Sequence, residues 1–278
     1  MIPVSLIIMT KNEERNIEKC LRSVSMFDQI FVVDSGSEDR TCEIAEDWDA
    51  SIVQFKWNGR YPKKKQWCLE NLPFKYDWVF YVDADEEIYP ELADEIFDLM
   101  AGGPKHSGYF VSYDYLFLGS VLKHGHRIYK LVLFDRHKGR FLEYEDLNVS
   151  NMWEVEGHYQ PKIQGSTGIL KNRMLHNDHD SLFQYFERHN RYSDWEASLR
   201  GKNVLVSPEE TLPGVRKLMK KIFDKLPFRA LIAFFHCYCL KLGFLDGLPG
   251  FHFALARAFY YWQIAVKTHN LKKNTIET

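Results

Sequence analysis

The stretch DWVFYVDADEEIYPEL, residues 77 to 92, drives an apolar run from Trp78 to Val82 into four acidic side chains within the next five positions. Carboxylates crowded at a strand end repel one another and resist burial unless a cation holds them. Two readings are open. Pro90 can open a helix, and Glu86, Glu87 and Glu91 then suit the positive end of its dipole. That reading does not require Asp83 and Asp85, whose i, i+2 spacing just past a strand can aim two carboxylates at one divalent ion.

Two more polar clusters follow apolar runs. VSLIIMT leads into Thr10, Lys11, Asn12 and Glu13, and QIFVVD ends on Asp34, followed by SGSEDRT. Asp34 has a structural reading as the acid of a strand-to-helix turn, with Gly36 giving the bend. Its functional reading is a nucleoside pocket, in which a carboxylate beyond one strand and a Thr-Lys-Asn-Glu set beyond its neighbour meet the edges of a base and a ribose. YPKKKQW, residues 61 to 67, offers three lysines. As a charge run it is a solvated face, and as a site it lets one lysine, Lys65, reach a diphosphate.

The elements that must position these groups alternate. Strand patterns at VSLIIMT, QIFVVDSG, SIVQF and WVFYVDAD are each followed by helical patterns, over residues 13 to 23, 39 to 47, 63 to 71 and 90 to 100. Such alternation predicts right-handed crossovers and a parallel sheet, with ligands in the crevice beyond the carboxyl ends of the strands. All three polar clusters fall at that edge. The chain then turns β-rich through GYFVSYDYLFLG, RIYKLVLFDR and STGILKNRML, followed by a long helical pattern from about Ser181 to Leu199. GKNVLVSPEETLPG, residues 201 to 214, marks the boundary to a basic, aromatic C-terminal region.

Composition bounds the function. A chain of 278 residues, 45% apolar and 15% aromatic, can bury one sizeable core with an appendage, and a formal net charge of -2 argues against a dedicated nucleic-acid binder. The five cysteines show no CxxC pair, which suggests neither a disulfide framework nor a structural zinc site and fits a reducing cytosol. The start MIPVSLIIMTKNEE lacks a basic n-region and a small-residue cleavage site, so it reads as the first strand rather than a signal peptide.

In combination, TKNEE, VVDSGSEDRT and DADEE resemble the inverting family-2 glycosyltransferases of the GT-A fold, and especially the branch with the lipopolysaccharide core glucosyltransferases. The resemblance covers roughly residues 3 to 200, with a weaker similarity in GFLDGLPGFHFALARAFYYW. It implies that Asp34 faces the base or ribose, Asp83 the ribose or metal, and that Asp85 coordinates the Mg²⁺ or Mn²⁺ bridging the diphosphate of a nucleotide sugar.

Inversion also needs a carboxylate that takes the proton of the acceptor hydroxyl. EYEDLNVSNMWEVEGHYQP, residues 143 to 161, supplies candidates, and if WEVEGHY is extended then Glu154, Glu156 and His158 share one face. Trp153 and Tyr159 beside them can stack on sugar rings; an edge strand with a solvated face is the structural alternative. The order of preference for the base is Glu156, Glu154, then Asp146. The segment lacks the shorter Val-His-Glu pattern of the core glucosyltransferases, which leaves that order open. His176 in LHNDHD is an additional metal or diphosphate ligand, or a structural histidine. Arg188 and Arg191 on the long helix, with Trp153 and His158, are the acceptor-side candidates.

VRKLMKKIFDKLPF places Val215, Leu218, Met219, Ile222 and Leu226 on one helical face, with lysines on or beside the other, the pattern of a helix in a membrane interface. ALIAFFHCYCL and FHFALARAFYYWQIAV fall short of a spanning length. Packing on the domain, docking on an anionic membrane surface and homodimer formation all remain open for this region.

The expected fold is α/β, a Rossmann-like mostly parallel sheet flanked by helices of GT-A type with a helical C-terminal extension. Residues 1 to 200 form the catalytic domain, its nucleotide-binding half 1 to 100 and its acceptor half 101 to 200; residues 201 to 278 form the appendage. The expected function is metal-dependent inverting transfer from a nucleotide sugar, UDP-linked by preference, to a glycan or lipid-linked acceptor of the cell envelope. The expected location is the cytoplasm, at the inner face of the membrane. Two rivals stand beside it. A haloacid dehalogenase-like phosphatase also uses an hhhhDxD element, yet Glu86 and Glu87 stand where its Gly-Thr or Thr/Val is expected. A non-catalytic nucleotide-sugar-binding module needs no base.

Overall fold

The computed structural model describes residues 1–143, 160–177, 181–201, 223, 226 and 228–276. Its frame is a nine-stranded sheet in the order β3-β2-β1-β4-β8-β6-β11-β5, with β7 paired to β6. The first half is β1 (Ile2–Thr10), β2 (Phe27–Asp34), β3 (Ser51–Gln54) and β4 (Trp78–Asp83), all parallel. These strands read as near-continuous apolar runs because helices cover both faces of such a sheet. In β1, Val4, Leu6, Ile7 and Ile8 are fully buried in the main core.

The second half is mixed. β8 (Tyr129–Asp135) runs antiparallel to β4 and to β6 (Gly108–Phe117), while β11 (Thr167–His176) is parallel to β6. The parallel character expected for the sheet therefore holds for the first four strands, and the continuation is mixed, with β8 antiparallel to both of its neighbours. Short β7 (Ser120–Leu122), β9 (Gly139–Arg140) and β10 (Lys162–Ile163) complete the strands, the last two pairing only with each other.

Helices α1 (Ile17–Ser23), α2 (Thr41–Glu46), α3 (Lys64–Asn71), α4 (Pro90–Gly102) and α5 (Leu182–Gly201) follow the expected order. Two of them start later than their patterns suggest. Asn12 sits at φ 56°, in the left-handed region, and Glu13 gives its amide to Thr41 Oγ1, so the turn before α1 is spent on joining loops. Asp39 accepts from its own neighbour, the Thr41 amide, 3.0 Å away, and caps rather than enters α2.

The acidic cluster after β4 also departs from its helical alternative. Glu86 to Ile88 form β5 (Glu86–Ile88), antiparallel to the end of β11 with His176 opposite Glu86, and only Pro90 opens the helix. An edge partner for β11 was available, and pairing satisfies backbone groups that a bare approach to α4 would leave open.

The C-terminal region is a helix Arg229–Phe235, a π-helical turn His236–Leu240, a 3-10 turn Gly243–Asp246 and a 30-residue helix Gly247–Ile276. This hairpin packs on the sheet's far end, where Phe253 and Cys237 join Phe117 and Leu122 in a second apolar cluster. The long helix is tied to α5 by Tyr260, which donates to Glu196 Oε2 at 2.9 Å, and by the Lys267–Asp194 ion pair at 2.7 Å. The basic segment read as an interfacial helix lies outside the described residues, except Phe223, Leu226 and Phe228.

Candidate active site

Parallel pairing brings the expected clusters to one edge. Thr10 stands opposite Asp34, and Met9, its neighbour, opposite Asp83. The loops beyond β1 and β2 are then laced together: Ser37 Oγ accepts the Asn12 amide at 2.8 Å, Asn12 Oδ1 accepts the Glu38 amide at 2.9 Å, and Asp39 Oδ2 accepts the Glu14 amide at 3.1 Å. TKNEE and DSGSEDRT are thus two halves of one loop system. Lys11 is exposed at its rim.

Asp34 is fully buried, and its carboxylate accepts the Gly36 and Ser37 amides at 2.9 and 2.8 Å and the Ser37 hydroxyl at 2.5 Å. Burial pushes its pKa up, but hydrogen bonds from Ser37, with Gln54 and Cys42, together outweigh burial and hold it below the ordinary 3.8. Asp34 therefore shapes the turn, and a base or ribose group that donates to it meets a carboxylate already holding these contacts. Two hydroxyls nearby, Thr10 Oγ1 and Ser35 Oγ, are buried with no hydrogen-bond partner among the described residues. Such groups cost about 1–3 kcal/mol unless something polar meets them, which suits a ligand at this edge.

The lysines behave differently from a solvated charge run. Lys63 and Lys64 are 4% and 1% exposed, and Lys64 Nζ donates to the Thr10 carbonyl at 3.0 Å. They brace α3 against β1. Lys65 is half-buried, 5.9 Å from the Phe141 ring, and its charge contributes to holding the Asp83 carboxyl down. Of the three, Lys65 is the one the fold brings toward the acidic cluster.

At that cluster a residue missed in the sequence takes the central place. Lys130, at the start of β8, sets its Nζ 3.0 Å from Asp83 Oδ2 and 2.7 Å from Glu86 Oε1, over the Tyr113 ring at 4.8 Å. The antiparallel turn of β8 against β4 puts its first residues at the carboxyl end of β4. Glu86, 1% exposed, also accepts the Asp83 amide through Oε2 at 3.0 Å. Burial, more than any neighbour, pushes Glu86 up to about 7. Burial also works against Asp83, but Lys130 and then Lys65 hold that carboxyl well below its usual range. The only signal in the sequence was a single lysine inside the apolar run RIYKLVLF.

Asp85 is separate from that triad. Its Oδ2 lies 3.5 Å from His176 Nε2, the two side chains being 17% and 16% exposed, and its carbonyl accepts the Asn177 amide at 2.8 Å. His176 rests on the Tyr115 ring, 5.1 Å away, which in turn meets Phe253 at 5.9 Å. Of the three residues expected to hold a metal, Asp85 and His176 stand side by side, and Asp83 lies within electrostatic reach of His176. Asp83 is engaged by an ammonium group that already neutralises it. Among the described residues no three His, Cys, Asp or Glu side chains gather closely enough to hold a metal alone. An oxygen and an imidazole nitrogen at this separation fit a divalent ion completed by ligand oxygens, as a diphosphate would supply.

On the acceptor side, α5 passes the cluster. Tyr192, missed in the sequence, is pushed up chiefly by burial, with Arg188 opposing and Asp83 adding, so Tyr192 lies within electrostatic reach of the carboxylates and of Arg188. Arg191 is half-buried on the same helix. Asp146, Trp153, Glu154, Glu156 and His158 lie outside the described residues.

This α/β frame, with polar loops and a carboxylate cluster at the carboxyl edge of its parallel strands, is of the class that takes its ligands in the crevice beyond the strand ends. The chain belongs to glycosyl transferase family 2, whose family model matches residues 5–153. The chain is 28% identical over 277 residues to the lipopolysaccharide core biosynthesis glycosyltransferase LpsC of Rhizobium meliloti (strain 1021), covering 96% of this chain and 92% of that protein. It is 42% identical over 94 residues to an uncharacterized glycosyltransferase of Rickettsia bellii (strain RML369-C), covering 34% of this chain and 31% of that protein. The matches to the Rickettsia relatives thus span about a third of their length. Among solved structures, a mannosyltransferase of Pyrobaculum calidifontis in complex with GDP-Man and Mn²⁺ aligns with a TM-score of 0.48 at 15% identity, over 96% of this chain and 86% of that one.

Proposed function

We propose that this family-2 chain is a metal-dependent inverting glycosyltransferase, moving a sugar from a nucleotide donor, UDP-linked by preference, to a glycan or lipid-linked acceptor in cell-envelope or lipopolysaccharide synthesis. One observation carries the reading. Thr10 and Asp34 end paired strands at the same edge where Asp85 and His176 meet, so a nucleoside and its diphosphate can lie along one line of the sheet. The name of LpsC, the relative matched over nearly the whole chain, supports the envelope acceptor. The cytoplasm, at the inner face of the membrane, is where nucleotide sugars and such acceptors meet.

The loop system of Thr10, Lys11, Asn12, Glu13 and Asp34 shapes the nucleoside pocket, with the two unpartnered hydroxyls of Thr10 and Ser35 turned to its polar edges. Asp85 and His176 hold Mg²⁺ or Mn²⁺, which when bound supplies positive charge to the departing diphosphate. Lys65 adds to that charge from α3. Lys130 keeps Asp83 ionised and fixed beside the ribose. Glu156, with Glu154 and Asp146 as the next choices, takes the proton of the acceptor hydroxyl as its oxygen bonds to the anomeric carbon. The bond from that carbon to the diphosphate breaks with its electron pair leaving on the nucleoside diphosphate, and configuration inverts.

The test is donor turnover in Asp85→Ala and Glu156→Gln. The first is expected to abolish metal-dependent turnover with the fold intact, and the second to keep donor binding while transfer falls by roughly 10²–10⁴. Unchanged turnover in Asp85→Ala overturns the metal site. A product that retains the donor's configuration overturns the inverting mechanism, and donor binding without any transfer leaves a non-catalytic binding module.

A further inference from the structure

The C-terminal hairpin carries an unusual surface for a packed appendage. More than half of the large apolar side chains exposed among the described residues lie between residues 228 and 271. Phe228, Leu240 and Leu248 are 75%, 74% and 67% exposed. Along the long helix Leu248, Leu255, Phe259, Trp262 and Val266 form one exposed stripe at helical spacing, with Phe259 and Trp262 stacked 5.4 Å apart. The opposite side holds α5 through Tyr260 and Lys267, so the stripe is not the helix's packing face.

Charge decides what covers it. Between residues 228 and 273 the chain has a single acid, Asp246, against six lysines and arginines. Asp246 is withdrawn: its side chain is 8% exposed and accepts the Lys123 and His124 amides at 3.1 and 2.8 Å, with His124 Nδ1 at 3.0 Å. Lys241, Lys272 and Lys273 are exposed. The surface is apolar and cationic with no exposed acid. A second copy would set like charge against like, whereas anionic headgroups complement it. No single described helix is long and apolar enough to cross a membrane, and the two arms pass that test only together, bent by 73° at the break. A bent apolar pair with an aromatic stripe suits the headgroup boundary rather than a crossing.

We propose that this hairpin docks on an anionic lipid bilayer, seating its apolar face at headgroup depth. The inference deepens the membrane-face part of the function proposed above but stands on residues that take no part in donor chemistry.

The full chain is mixed with phosphatidylcholine vesicles and with mixed phosphatidylcholine–phosphatidylglycerol vesicles and sedimented. It is expected to sediment with the anionic vesicles in preference to the neutral ones. High salt should weaken the association without abolishing it. Leu245→Glu/Leu248→Glu, at exposed positions, should lower partitioning about tenfold or more. Lys241→Glu, which removes no apolar surface, should lose only the anionic preference, and it answers the question even where the double variant fails to fold. Sedimentation with neither vesicle, or equal binding of wild type and both variants, overturns the inference. A dimer in solution that the double variant dissociates would give the surface to a second copy instead. Donor turnover that persists without vesicle binding removes this inference alone, and vesicle binding without turnover removes the transfer reading alone.

Discussion

Lys130 and Glu86 form the most deeply buried charge pair of the site, 2.7 Å apart with Glu86 at 1% exposure. Asp83 shares the same ammonium group. Truncating one partner of a buried pair strands the other, typically at about 3–5 kcal/mol. Lys130→Met is therefore expected to lower unfolding free energy by roughly that amount, measured by urea denaturation. Adding Asp83→Asn should restore part of the loss, because Asp83 is the partner held ionised and left stranded. A Lys130→Met protein as stable as wild type would show that the ammonium is not the group that holds the cluster.

His176 is the second prediction. His176→Ala leaves Asp85 as the one protein ligand of the proposed pair, so the Mn²⁺ concentration for half-maximal donor turnover should rise by no less than the roughly 10–100-fold that losing an outer-shell partner costs. Saturating metal should recover most of the rate. A rate lost at every metal concentration would instead place His176 on the donor or acceptor.

The third concerns pH. The Asp34 pKa is lowered from 3.8 in the folded state, so its ionised form stabilises the fold above that value, and the contribution disappears as pH falls through the folded pKa. Asp34→Asn should be less stable than wild type at neutral pH by roughly 1.5–3 kcal/mol, the worth of hydrogen bonds to a charged group. The gap should narrow as pH falls below about 4. Denaturation midpoints across that range decide it, and a constant gap would assign the loss to loop geometry alone.

Gly250 supplies the fourth. A Cβ there would meet the Gly243 carbonyl oxygen at 2.0 Å, backbone that cannot step aside as a side chain can. Gly250→Ala should destabilise by about 1–3 kcal/mol or more through overpacking, read as a fall in thermal midpoint. Gly102→Ala, where a Cβ meets nothing within 4 Å, is the control.

Much of the frame was legible because parallel strands declare themselves as apolar runs and their crossovers as helical patterns, so Thr10, Asp34 and Asp83 could be placed at one edge before any coordinates. Individual roles were less legible. Nothing in YPKKKQW distinguishes the buried Lys64 from its neighbour Lys65, since burial is settled by where β1 passes rather than by the run itself. Lys130 was missed for the same reason: its partners stand 47 and 44 positions away, and only the register of β8 against β4 brings them together. Glu86 looked like a helix lead because its strand partner, His176, is 90 positions distant in sequence and invisible locally.

Phe253 packs on Tyr115, and Tyr115 on His176. Translation delivers these rings in the order Tyr115, His176, Phe253, so the wall beside Asp85 receives its last ring from the helix Gly247–Ile276, made after every strand of the sheet. At about 5–20 residues per second the nascent chain carries an unfinished wall for on the order of ten seconds after His176 is made. The nucleoside half can close round its own core during that interval. The half that carries His176 matures later, when the long helix with Phe253 arrives.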